Sequence, residues 1–111
     1  MTTSLDEREK LVKFKADFLK ALANPLRIQI IDELRDGELT VTELKERLKK
    51  ELPNISQQLS VLKTRHLVVS RKQGNNTYYS CTDPAVFKVL DAIKEVFNNH
   101  LIDLQETLKK L

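Results

Sequence analysis

The side chains best suited to chemistry lie together in residues 53–82, PNISQQLSVLKTRHLVVSRKQGNNTYYSCT. Asn54, Ser56, Gln57, Gln58 and Ser60 are neutral groups that both donate and accept hydrogen bonds. Gln can bond adenine through N6 and N7, and Ser can bond several base edges, so this set suits the major groove of DNA. Lys63, Arg65, Arg71 and Lys72 add positive charge suited to phosphates, and Asn75 and Asn76 sit at a turn between the last two bases and a second apolar run. Not one Asp or Glu falls in this stretch, although acids and bases nearly balance over the rest of the chain. An acid-free basic segment of this kind predicts a surface that meets a polyanion.

The elements that must hold these side chains follow from periodicity and punctuation. Ile55, Leu59 and Leu62, with Val61 beside them, make one apolar face on a helix opened by Pro53, and the polar residues named above make the other. Leu67–Arg71 and Thr77–Cys81 read as two short strands joined across Gly74-Asn75-Asn76. Upstream, Thr40-Val41-Thr42-Glu43 is a capping box that opens a short helix with Leu44 and Leu48 on one face. Two short helices with an amide-rich face on the second match a helix-turn-helix, and a hairpin just after it is a wing. Asn24-Pro25 starts another helix carrying Leu26, Ile30 and Leu34, which stops at Asp36-Gly37. The predicted class is mainly α with a small β-hairpin wing, in the order α-α-α-α-β-β-α, as a single winged helix-turn-helix domain over residues 1–111.

The two terminal helices carry more apolar surface than this body can cover. Residues 5–22 place Leu11, Phe14, Phe18 and Leu22 at helical spacing. Asp83-Pro84 caps a last helix to about Lys110 with the stripe Phe87, Leu90, Ile93, Phe97, Leu101, Leu104 and Leu108. A twofold homodimer in which Leu11, Phe14, Phe18, Phe97, Leu101, Leu104 and Leu108 meet a second copy would bury the excess, and a helical layer within one chain is the alternative.

Composition removes other classes. The 41% hydrophobic residues suffice for a core, and no apolar run approaches the ~18 residues of a membrane span. The start, MTTSLDEREK, reads as no signal peptide, and one cysteine permits no intrachain disulfide, which predicts a cytoplasmic chain. There is no glycine-rich phosphate loop, no nucleophile elbow and no close His/Asp/Ser arrangement, so no enzyme and no cofactor are expected.

The order of elements, with ALANPLRIQIIDEL at 21–34 and ISQQLSVLKTRHLV at 55–68, resembles the ArsR/SmtB family of dimeric bacterial repressors. The resemblance spans roughly residues 16–100. It implies a cytoplasmic homodimer that binds an operator in double-stranded DNA near its own promoter and leaves it when an inducer arrives, here unidentified. It places Ser56, Gln57 and Gln58 at the family's Ser-x-His base-reading triplet, with Gln58 in place of the His.

The family's metal positions are not filled here. Where one site type has two cysteines in a Glu-Leu-Cys-Val-Cys pattern, this chain has Glu38-Leu39-Thr40-Val41-Thr42. The other type needs an Asp-x-His pair upstream of a last-helix His-x-x-His or His-x-x-Glu. His100-x-x-Asp103 is present, but the positions eleven residues earlier are Val89 and Ala92. No metal site is therefore expected, and His100 with Asp103 reads as a surface pair. His66 stands where the family has a glycine, which predicts a backbone with positive φ. Cys81 reads as core packing; the competing reading is a redox- or persulfide-responsive thiol, which one cysteine per chain could serve only through an intersubunit bond or a sulfenate. The other alternative is a winged helix that binds protein and not DNA.

Overall fold

The computed structural model describes residues 5–111; the first four residues, part of the stretch read as no signal peptide, lie outside the described residues. The helices are α1 (Leu5–Leu22), α2 (Pro25–Glu33), α3 (Val41–Leu48), α4 (Leu52–Thr64) and α5 (Ala85–Lys109), and the strands are β1 (Leu39–Thr40), β2 (Val68–Gln73) and β3 (Asn76–Cys81). Local chemistry sets most of these boundaries. Asn24 caps α2, its Oδ1 accepting from the Arg27 N–H at 3.1 Å, and Pro25 fills the first helical position. Thr40 Oγ1 accepts from Glu43 N at 3.1 Å while Glu43 Oε1 accepts from Thr40 N at 2.9 Å, a complete capping box. The Thr40 backbone N–H, and then its side chain, hold the Glu43 carboxyl below its ordinary range. Thr40→Ala removes half of the box and is expected to lower stability by about 1 kcal/mol, read as a shift of the urea midpoint at unchanged slope.

Two helix boundaries differ from expectation, and the start of α5 agrees with it. α2 is regular only to Glu33 and tightens into a 3₁₀ turn over Leu34–Asp36 before Gly37, whose φ of +141° suits a residue without Cβ. α4 begins at Leu52, with Glu51 as its cap and Pro53 one position inside. α5 begins at Ala85, whose N–H is met by Asp83 Oδ1 at 2.9 Å.

The β2–β3 hairpin is the expected wing, and β1, which was not expected, adds a third strand to it. β1 pairs antiparallel with β3, Leu39 opposite Tyr79 and Thr40 opposite Tyr78, giving three strands in the order β1-β3-β2. Leu39 is buried, so this two-residue strand stitches the wing's inner edge to the core. β2 and β3 run from Val68 opposite Cys81 to Gln73 opposite Asn76, which leaves Gly74-Asn75 as the turn and puts Asn76 in the strand. Gly74, at φ +62°, is the only turn residue with positive φ, the glycine-first arrangement of a type II′ turn.

One hydrophobic cluster joins the elements. Ala21 and Leu22 from α1, Leu26, Ile30 and Ile31 from α2, Leu44 from α3 and Ile55, Leu59 and Leu62 from α4 meet Leu67, Val68, Val86 and Leu90. Arg35 ties α2's tail to α5: its Nη2 lies 2.8 Å from Asp91 Oδ1, and its guanidinium sits 5.3 Å from the Phe87 ring centre. At 1.5 Å per residue α5 is about 38 Å long. Val86 and Leu90 are buried at its start, whereas Ile93, Phe97, Leu101, Leu104 and Leu108 project past the body, as do Leu11 and Phe14 of α1. Phe18 differs from the rest of the expected dimer set, for it packs partly on the chain's own core.

Candidate nucleic-acid interface

α3 packs on α4 across the three-residue turn Lys49–Glu51, in which Lys49 adopts φ +54° at the end of α3. This helix-turn-helix buries Ile55, Leu59 and Leu62 and leaves the opposite face of α4 in solvent. Asn54, Ser56, Gln57, Ser60 and Lys63 are all exposed along it, and Arg65 is exposed at its C-cap. The helix ends as His66 turns through φ +63°, the left-handed backbone expected from its place. Lys49 and Lys50, exposed in the turn, add charge beside α4's start that the sequence reading left out.

Three expected contact residues are engaged within the chain. Gln58 is half-buried at the edge of the core face, and its Oε1 accepts from Arg27 Nη1 at 3.0 Å. Lys63 Nζ donates to Ser70 Oγ at 2.8 Å, tying α4 to β2. Arg71 is the most tightly held: its Nε donates to Glu38 Oε2 at 2.8 Å, its Nη2 also meets Glu38, and its Nη1 donates to Gln73 Oε1 at 2.7 Å. Its guanidinium lies 4.7 Å from the Tyr78 ring centre. The hydrogen bonds from Arg71 hold the Glu38 carboxyl below its ordinary range and raise the arginine in return. Arg71 thus braces the wing against the segment before β1, and its charge is already met by Glu38. Lys72, Asn75 and Asn76 remain exposed at the wing tip. Arg27 and Glu38 were missed by sequence reasoning because their partners lie 31 and 33 residues away, and no local pattern marks them.

Cys81 is half-buried and packs on the core next to Tyr79. Its Sγ lies 3.5 Å from Asp83 O, and burial pushes the thiol above its ordinary value. That burial disfavours the thiolate that oxidation chemistry needs. His100 and Asp103 are exposed on α5. Among the described residues no group of three or more His, Cys, Asp or Glu side chains could hold a metal ion, and no helix is long and apolar enough to cross a membrane.

Comparison with known proteins agrees with this geometry. A family model described as "Bacterial regulatory protein, arsR family" matches residues 24–70. The chain is 37% identical over 106 residues to the uncharacterized HTH-type transcriptional regulator Rv0081 of Mycobacterium tuberculosis, covering 95% of this chain and 93% of that one. The crystal structure of that regulator superposes with a TM-score of 0.75, covering 84% of this chain and 94% of that one. The biofilm growth-associated repressor of Agrobacterium fabrum is 31% identical over 93 residues, 84% of this chain and 80% of that one. The solution structure of the homodimeric winged helix-turn-helix DNA-binding domain of a possible ArsR-family regulator from Mycobacterium bovis gives a TM-score of 0.76 at 32% identity, over 91% of this chain and 94% of that one. Helix-turn-helix, wing and an exposed amide-rich α4 thus sit in a fold shared with transcriptional regulators along nearly the whole length of both molecules, and this chain belongs to the arsR family of bacterial regulatory proteins.

Proposed function

We propose that this DNA-binding regulator is a homodimeric repressor, without catalytic activity, that sits on a twofold operator and is released by a signal. The observation that carries it is the exposed, acid-free face of α4 beside the wing, backed by helices whose apolar stripes outrun their own core. Gln57, Ser56 and Ser60 read bases from the major groove, with Asn54 at the start of the same face and Gln58 at its inner edge. Arg65 and Lys72 hold phosphates, with Asn75 and Asn76 at the wing tip beside the backbone. Lys63 and Arg71 position the wing, and Arg71 adds to phosphate binding only where Glu38 releases it. Support for a dimer comes from the M. bovis domain and for repression from the A. fabrum relative, each by its own description.

Reading and holding separate in one series of binding isotherms, using a duplex from the chain's own promoter and a random duplex at several salt concentrations. Gln57→Ala is expected to cost about 1–3 kcal/mol on the promoter duplex and little on the random one. Lys72→Ala is expected to weaken both alike and to lower the salt slope by about one for each phosphate no longer neutralised, up to about two in a symmetric dimer. Equal losses on both duplexes for Gln57→Ala would mean that α4 does not read bases.

A further inference from the structure

Arg27 makes a three-way junction between α1, α2 and α4. It stands in the first turn of α2, with its backbone N–H held by Asn24. Its Nε donates to Ala21 O at 2.7 Å and its Nη2 to Lys20 O at 3.3 Å, both carbonyls in the last turn of α1. A cation is favoured there, because unpaired carbonyls gather at a helix C-terminus. With two arms of the planar guanidinium fixed on α1, the third, Nη1, is aimed at Gln58 Oε1 on α4, 3.0 Å away.

That contact orients the Gln58 amide without ambiguity. A guanidinium has only donors, so the oxygen of Gln58 must face it and the NH₂ group must point away from α2. Bidentate pairing with adenine needs the amide oxygen and nitrogen side by side on the base, the oxygen accepting from N6 and the nitrogen donating to N7. With the oxygen turned to Arg27, the outward edge of Gln58 is a donor. Guanine offers it two acceptors, O6 and N7, and thymine one, O4; adenine N7 can accept as well, but adenine N6–H2 then faces a donor and loses its partner.

We propose that Arg27 is a specificity-determining positioning residue, which holds Oε1 of Gln58 so that this side chain cannot complete the bidentate pair with adenine and favours guanine or thymine over it. The proposal rests on the function proposed above, with Gln58 as a member of the reading face. Its anchor on α1 also means that the reading geometry of α4 is referenced to a terminal helix and not to the helix-turn-helix alone.

The test is selection from a duplex library with a randomised core, using the full chain as parent, Gln58→Ala and Arg27→Met, with melting temperatures measured alongside. Gln58→Ala identifies the base pair at which preference depends on Gln58. At that same pair, Arg27→Met is expected to raise the frequency of adenine relative to guanine and thymine by about tenfold, with the other positions unchanged. A merely structural role would lower melting temperature or affinity without moving the preference at one base pair. Should Arg27→Met fail to fold, Arg27→Lys keeps the stem and the charge but cannot span three acceptors with a planar fork, and the shift is expected in the same direction. A parent motif retained by the folded Arg27 variant, or a motif indifferent to Gln58→Ala, overturns the proposal while leaving the regulator reading intact. A library that the parent does not enrich overturns both.

Discussion

Leu101→Glu is expected to convert a dimer into single chains of 12.9 kDa in sedimentation equilibrium at micromolar concentration, and to abolish tight operator binding. Leu101 lies on the stripe that begins with Val86 and Leu90, both buried in the chain's own core, and runs on through Phe97, Leu104 and Leu108. From Leu90 to Lys109 α5 travels about 28 Å, and Ile93, Phe97, Leu101, Leu104 and Leu108 stay exposed over that length among the described residues. Leu101 is 40% exposed and Leu108 66% exposed, which a helix docked against its own body would not show. Burying a leucine contributes about 1.5–3 kcal/mol, and a twofold interface counts every residue twice. Replacing both copies with a carboxylate removes that contribution and adds the cost of desolvating two like charges, enough to weaken association by several powers of ten. Glutamate is a good helix former, so the helical circular dichroism of the chain should persist. Operator affinity falls because each half-site is then bound separately, without the effective concentration that the dimer supplies. A Leu101→Glu variant that remains dimeric would remove α5 from the interface.

The second large effect is in the core beneath the reading face. Leu62→Ala is expected to lower the free energy of unfolding by about 2–5 kcal/mol, measured by urea at fixed protein concentration. Leu62 is fully buried with Ile55 and Leu59 on one face of α4, where its truncation leaves a cavity bounded by α2, α3 and β2. Domains of this size are stable by about 5–15 kcal/mol, so the loss is a large fraction of the total. α4 is both a wall of the core and the support of Gln57 and Ser60, so DNA binding should weaken in step. A loss below about 1 kcal/mol would mean that the core closes around the shortened side chain and that α4 is not held where the structure places it.

The sequence by itself determined what depends on a few adjacent residues. The bounds of α1, the Asn24 cap, the Thr40–Glu43 capping box and the hairpin at Gly74 follow from interactions spanning four residues or fewer, whereas the positive φ of His66 is expected only from the family resemblance. Amphipathic spacing alone located the buried face of α4 and the excess stripe on α5, because period 3.6 is visible in any window of several turns. Pairings between distant segments emerge only on folding. β1 is two residues long, too short to show alternation, and exists because β3 lies beside it. Arg71 read as a wing base waiting for a phosphate, until folding brought Glu38 onto it from 33 residues away. Gln58 is an amide free to pair with adenine by its sequence, and folding sets Arg27 from 31 residues away against its oxygen. In each case the sequence specifies the donor or acceptor, but a side chain's partner is set by which helices and strands the core presses together, and that geometry is a property of the whole chain.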